Sequence, residues 1–141
     1  MTQLLLAIDE SIERATAQVE TTLDLFAGDD VTAYLLHDFV DNPEGASVSQ
    51  VDAVTRAESL LKSEGVTVAF RERSGAPAES IVSTAEDLDV DAICVAGRKR
   101  SPAGKVLFGS VTQSVILQTE RPVIVCSPSD DLDEDGPTTT D

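Results

Sequence analysis

Five short apolar runs that hardly alternate, separated by segments of helical period, constrain this chain more than any other feature. The runs are "QLLLAI" (3–8), "VTAYLLH" (31–37), "VTVAFR" (66–71), "AICVA" (92–96) and "VIVC" (123–126). A strand with one wet face alternates apolar and polar residues, whereas a strand covered on both faces is apolar almost throughout. The runs therefore predict a parallel sheet with helices on both faces, and the intervening segments supply the helices. Ile12, Ala15, Val19, Leu23 and Phe26 recur at spacings of three and four, with Gly28 as a left-handed stop. Val51, Val54 and Leu61 share one face of a second helix that opens on a capping-box pattern, Ser47…Gln50, and closes at Gly65. Pro77 with Ile81, Ala85 and Leu88 marks a third helix, and Val111, Val115 and Gln118 or Thr119 mark a fourth. Five strands thus alternate with four helices, the pattern of βαβ units.

Composition bounds the partners. The 141 residues are 41% hydrophobic, enough for one core, but 26 Asp and Glu face 10 Lys and Arg for a formal net charge of −16. Only Lys62, Lys99 and Lys105 are lysines. Such a surface repels nucleic-acid phosphates and anionic membranes, so neither is an expected partner. It suits concentrated salt, where screening cuts self-repulsion to a range of about 3 Å, and a cytoplasmic protein of a salt-loving cell is expected. No apolar stretch approaches the roughly 18 residues of a membrane span, and "MTQLLLAIDES" has neither the basic start nor the cleavage-like end of an export signal. Cys94 and Cys126 sit inside apolar runs without metal-ligand spacing to the single histidine, His37, and are expected as buried free thiols. The last residues, "SPSDDLDEDGPTTTD", carry six acids and no base, so residues 128–141 are expected to be a disordered acidic tail beyond a domain of 1–127.

Handedness then places a ligand. Right-handed crossovers make the two halves of such a sheet grow in opposite directions from the first strand, giving the order 3-2-1-4-5 of a Rossmann-like α/β domain. Ligands bind at the carboxyl ends where the order reverses, between the first and fourth strands. The loops leaving those strands are "DES" (9–11) and "GRKRSPAGKVLFGS" (97–110). The second holds Arg98, Lys99, Arg100 and Lys105, four of the ten basic residues, and ends where the fourth helix begins. Unpaired amides and the positive dipole end of a helix attract anions, so a nucleotide phosphate is the expected ligand. Neither the P-loop nor the GxGxxG turn is present: Gly97 and Gly104-Lys105 are separated by six residues, and Val106 follows.

"LLLAIDES", "GRKRSPAGKVLFGSVTQSVI" and "RPVIVC", in this order and spacing, resemble the universal stress protein family over essentially residues 3 to 127. That resemblance implies ATP or AMP bound through a pattern Gly-x2-Gly-x9-Gly-Ser/Thr after the fourth strand, with Mg accompanying ATP, and a homodimer formed by the edge of the fifth strand, here Val123, Ile124 and Val125. Gly97 matches the first glycine, Gly109 the last and Ser110 the hydroxyl residue. Asp9 matches the acidic position near the nucleoside, and His37 and Asp38 the backbone that faces adenine. Two departures stand out: Arg100 occupies the second glycine position, and eight residues rather than nine separate it from Gly109. An arginine there either blocks the site or replaces backbone contacts with a phosphate-matching fork. The candidate nucleotide-binding residues are accordingly Asp9, His37, Asp38, Gly97, Arg98, Lys99, Arg100, Gly109, Ser110, Val111 and Thr112.

Plainer roles compete for several of them. Asp9 with Glu10 and Glu13 also fits an N-cap followed by first-turn acids, and Ser110…Gln113 fits a capping box. Thr112 fits a helix-surface hydroxyl, and His37 a satisfied polar group at a strand end. The basic loop also fits a salt-bridge partner for an acidic surface, and Arg71 and Arg73 fit side chains snorkelling out beyond the third strand. Asp9 is the single carboxylate the motifs place near the site, and no activated nucleophile is visible, so binding is expected, with hydrolysis slow or absent. A stress-response sensor or regulatory module is the leading expectation. A nucleotide-free dimeric interaction module and a slow ATPase are the alternatives.

Overall fold

A computed structural model describes residues 2–8, 11–26, 28, 30–38, 52–73, 75–100, 106–107 and 109–126. Its principal sheet is parallel and has five strands in the order β3-β2-β1-β4-β7, formed by β1 (Thr2–Ala7), β2 (Val31–Asp38), β3 (Thr67–Arg73), β4 (Ala92–Ala96) and β7 (Val123–Cys126). This is the order expected from the crossovers. The helices are α1 (Ile12–Leu25), α2 (Asp52–Ser63), α3 (Pro77–Leu88) and α4 (Ser110–Gln118).

The continuous apolar runs do what the pattern requires. Leu4, Leu5 and Leu6 of β1 are all fully buried, because alternate side chains enter different cores. Leu4, Leu6 and Ile8 join Ala15 and Val19 of α1 and Val54 and Leu61 of α2. Leu5 joins Ile81, Val82 and Ala85 of α3 and Val115 of α4. At the usual 25 cal/mol per Å² of apolar surface, each of these leucines contributes about 2 kcal/mol on burial.

Helix boundaries follow local chemistry, with some corrections. Gly28 and Gly65 have φ of 86° and 84°, the left-handed geometry expected after α1 and α2. Pro77 starts α3, as predicted. Ile12 departs from the predicted buried stripe: it is 47% exposed, since the first turn of α1 overhangs the core that Ala15 and Val19 enter. The N-cap of α1 is Ser11, whose hydroxyl accepts from the Arg14 amide at 3.2 Å, so the capping role considered for Asp9 belongs to its neighbour but one. Arg71 and Arg73 lie within β3 rather than beyond it. Arg71 stacks over the Tyr34 ring, and Arg73 bonds Thr84 and Asp87 of α3. The proposed capping box of the second helix, Val51, and the acidic tail lie outside the described residues.

The segment after Gly97 is not wholly loop. Residues Arg98–Arg100 form β5 and Val106–Leu107 form β6, an antiparallel pair in which Arg98 faces Leu107 and Arg100 faces Val106. Backbone that has left the principal sheet thereby regains hydrogen-bond partners. Such a short, irregular pairing has no periodicity for a sequence pattern to reveal. Among the described residues, no helix is long and apolar enough to cross a membrane.

Candidate functional site

The site begins where one ladder ends early. β1 pairs with β2 from Thr2↔Val31 to Ala7↔Leu36, and the Ile8 amide adds a bond to Leu36 O at 2.8 Å. On its other side β1 pairs with β4 only from Leu4↔Ala92 to Leu6↔Cys94. Past that point the two strands part, at the position where the strand order reverses. At that end Gln18 of α1 bridges the two strands: its Nε2 donates to Ala7 O at 2.9 Å and to Cys94 O at 3.1 Å. Gln18 is fully buried, and its Oε1 has no hydrogen-bond partner. A polar residue on the helical stripe of Ala15, Val19 and Thr22 was the sequence signal for it, but a search for apolar period alone passes over it.

The α4 end of the crevice is fastened by Thr112. Its hydroxyl donates to Ala96 O, the last carbonyl of β4, at 3.2 Å, and the side chain is buried. The helix-surface role expected for Thr112 is therefore corrected: it ties the first turn of α4 to the strand. Ser110 does not cap either. Gly109 is the N-cap, no side chain caps the helix, and the first helical bond runs from the Gln113 amide to Gly109 O at 3.1 Å. The amides of Gly109, Ser110, Val111 and Thr112 precede any intrahelical acceptor, which makes this end a cluster of donors with positive dipole character. Ser110 and Val111 are exposed.

Gly97 is buried directly after β4, and its amide donates to Cys126 O at 2.7 Å. Backbone of Arg98, Lys99 and Arg100 follows in β5. Arg100 is in extended conformation, and Asp89 is the one non-glycine residue of positive φ among the described residues, so the arginine at the second glycine position needs no glycine-only backbone. Opposite, His37 is buried near the end of β2 with Nδ1 2.9 Å from Ile8 O; a carbonyl only accepts, so Nδ1 carries the proton. This agrees with a satisfied polar group at the strand end. Asp38 ends β2 beside Arg73 of β3 in register. Asp9 lies outside the described residues, as do Gly104 and Lys105. Among the described residues no three His, Cys, Asp or Glu side chains gather as a metal site.

Cys94 and Cys126 are buried and free, as expected, but their sulfurs are 3.1 Å apart, a contact that their separation along the chain did not suggest. Hydrogen bonding between them splits their proton affinities. Cys94, with burial adding to the effect, is held well above the ordinary thiol range, and Cys126 is lowered.

A family model described as the universal stress protein family matches residues 1–127. A universal stress protein of Mycolicibacterium smegmatis is 32% identical over 72 residues, which are 50% of this chain and 55% of that protein. The chain spans about half the length of the curated relatives it matches. Among solved structures, a universal stress protein from Archaeoglobus fulgidus superposes with a TM-score of 0.64 at 27% identity, covering 89% of this chain and 98% of that one. One from Archaeoglobus fulgidus in complex with dAMP gives 0.68 at 22% identity over the same shares. Further structures of this fold hold cAMP or AMP.

Proposed function

The chain belongs to the universal stress protein family, and from that premise we propose that it binds an adenine nucleotide, ATP or AMP, in the crevice between β1 and β4. One observation carries the reading. The β1–β4 ladder opens after Leu6↔Cys94, and the uncapped start of α4 is fastened at that opening through Thr112 and Ala96. Anion-seeking amides thus meet the one gap in the sheet that the topology reserves for a ligand. Relatives of the same fold that hold dAMP, AMP or cAMP support the choice of adenine.

In this reading the phosphates rest on the amides of Gly97 and of Gly109, Ser110, Val111 and Thr112, with the basic run Arg98, Lys99 and Arg100 supplying charge. Asp9 lies near the nucleoside, and the β2 end at His37 and Asp38 faces adenine. Mg accompanies ATP. The protein acts as a cytoplasmic stress-response sensor or regulatory module, dimeric through β7. That strand is an edge of the sheet and presents half-buried Val123, Ile124 and Val125, an apolar edge suited to pairing with a second copy. Calorimetric titration of ligand-stripped protein in molar salt with ATP, AMP and GTP tests the reading. Saturable heat with an adenine nucleotide and weaker or no heat with GTP is expected. No heat with either adenine nucleotide would favour a nucleotide-free interaction module.

A further inference from the structure

Cys94 and Cys126 lie on neighbouring parallel strands and are the only cysteines of the chain. Their sulfurs stand 3.1 Å apart, against about 2.05 Å for a disulfide bond. About 1 Å of approach therefore separates the thiol pair from a covalent bond. The register shows what must give: Cys94 is opposite Ile124 and Cys126 is opposite Ala96, so the two cysteines are two residues out of step and meet along a diagonal. Closing the bond requires β7 to slide slightly along β4. A disulfide that requires such a shift is one that thiols reduce readily.

The surroundings are not those of inert core filling. Gln18 of α1 donates to the Cys94 carbonyl, and the hydrogen bond between the two sulfurs lowers the proton affinity of Cys126 while it raises that of Cys94. Cys126 is also the last residue of β7, at the end of the sheet, whereas Cys94 is mid-strand in β4. Both are buried, so what distinguishes them is strand position and proton affinity, and on those grounds Cys126 is assigned to react first and Cys94 to resolve in the proposal that follows.

We propose that Cys94 and Cys126 form a reversible dithiol–disulfide site oxidised by a hydroperoxide. The Cys126 thiolate attacks the terminal peroxide oxygen, the O–O bond breaks, and the leaving oxygen takes a proton to depart as water or alcohol. Cys126 is then a sulfenic acid. Cys94 sulfur, giving up its proton, attacks Cys126 sulfur; the S–O bond breaks and water leaves. Two thiols are oxidised by two electrons and one hydroperoxide is reduced. A low-molecular-weight thiol reverses the step by exchange.

The test uses the full chain, hydrogen peroxide, then denaturation, alkylation and mass spectrometry. The expected product has lost two hydrogens, has no alkylated cysteine, yields a peptide linking Cys94 to Cys126, and returns to two alkylatable thiols with dithiothreitol. Cys94→Ser should stop at a Cys126 sulfenic acid that dimedone traps, and Cys126→Ser should leave Cys94 alkylatable. The proposal is overturned if the unsubstituted chain keeps both thiols under peroxide that oxidises glutathione in the same tube. It is equally overturned if the product gains oxygen without the linked peptide, or is a disulfide between chains.

Discussion

β1 has two neighbours and treats them differently. Its seam with β2 is zipped through Ala7↔Leu36 and extended by the Ile8 amide, with His37 closing the end by donating to Ile8 O. Its seam with β4 stops at Leu6↔Cys94, and a side-chain amide from another layer takes over the carbonyls. One seam is held by backbone alone until its last residue. Where the other stops, Gln18 from the α1 layer bonds a carbonyl of each strand, and Thr112 from α4 bonds the last carbonyl of β4. The difference teaches that a gap at the reversal point of a parallel sheet is not simply missing structure. It is an interrupted ladder whose stranded polar groups have been given other partners.

Breaking the open seam should have the largest effect. Gln18→Leu removes the donor to Ala7 O and Cys94 O while relieving the unpartnered Oε1, for an expected net loss of about 2–4 kcal/mol of stability, since each stranded buried acceptor costs about 1–3 kcal/mol. Urea unfolding in molar salt measures it, and a loss below 1 kcal/mol would show that the amide is dispensable. Next comes the basic run beside the same seam. Arg100→Gly should weaken ATP by about 1.5–3 kcal/mol, the range for a hydrogen bond to a charged group, and adenosine by much less. Tighter ATP binding in the glycine variant would mean that the arginine obstructs the site.

The closed seam provides the contrast. His37→Leu strands one carbonyl, Ile8 O, so the expected cost is about 1–2 kcal/mol of stability, and calorimetry should find ATP affinity changed less than in Arg100→Gly. Smallest in stability is Thr112→Val, which gives up one hydrogen bond worth about 1 kcal/mol. Because that bond fastens the start of α4, its larger signature should be in ATP affinity, and equal ATP binding by the valine variant would detach Thr112 from the site.

Much of the fold was legible because burial on both faces leaves a direct mark on sequence. β4 and β7 coincide with the runs 92–96 and 123–126, and the strand order follows from handedness without any contact being known. The candidate site was readable only as loops, since the topology places Gly97 directly after β4 and Gly109 directly before α4. What stayed hidden was every feature that depends on a single side chain meeting a particular carbonyl. Gln18 sits at a core position of α1 but breaks its apolar pattern, Thr112 looks like any first-turn hydroxyl, and Ser110 carries a capping motif one residue too late for the cap that Gly109 occupies. The thiol contact is hidden for the same reason: only the β4–β7 register brings Cys94 to Cys126.

Amide hydrogen exchange read by NMR, with and without saturating ATP, tests most directly whether the open seam is the nucleotide site. The account predicts that ATP slows exchange at the amides of Gly109, Ser110, Val111 and Thr112 and in β5, while the β1–β2 seam at Ile8 and Leu36 is unchanged. Slowing confined to any other part of the chain, with those four amides unaffected by bound ATP, would contradict it.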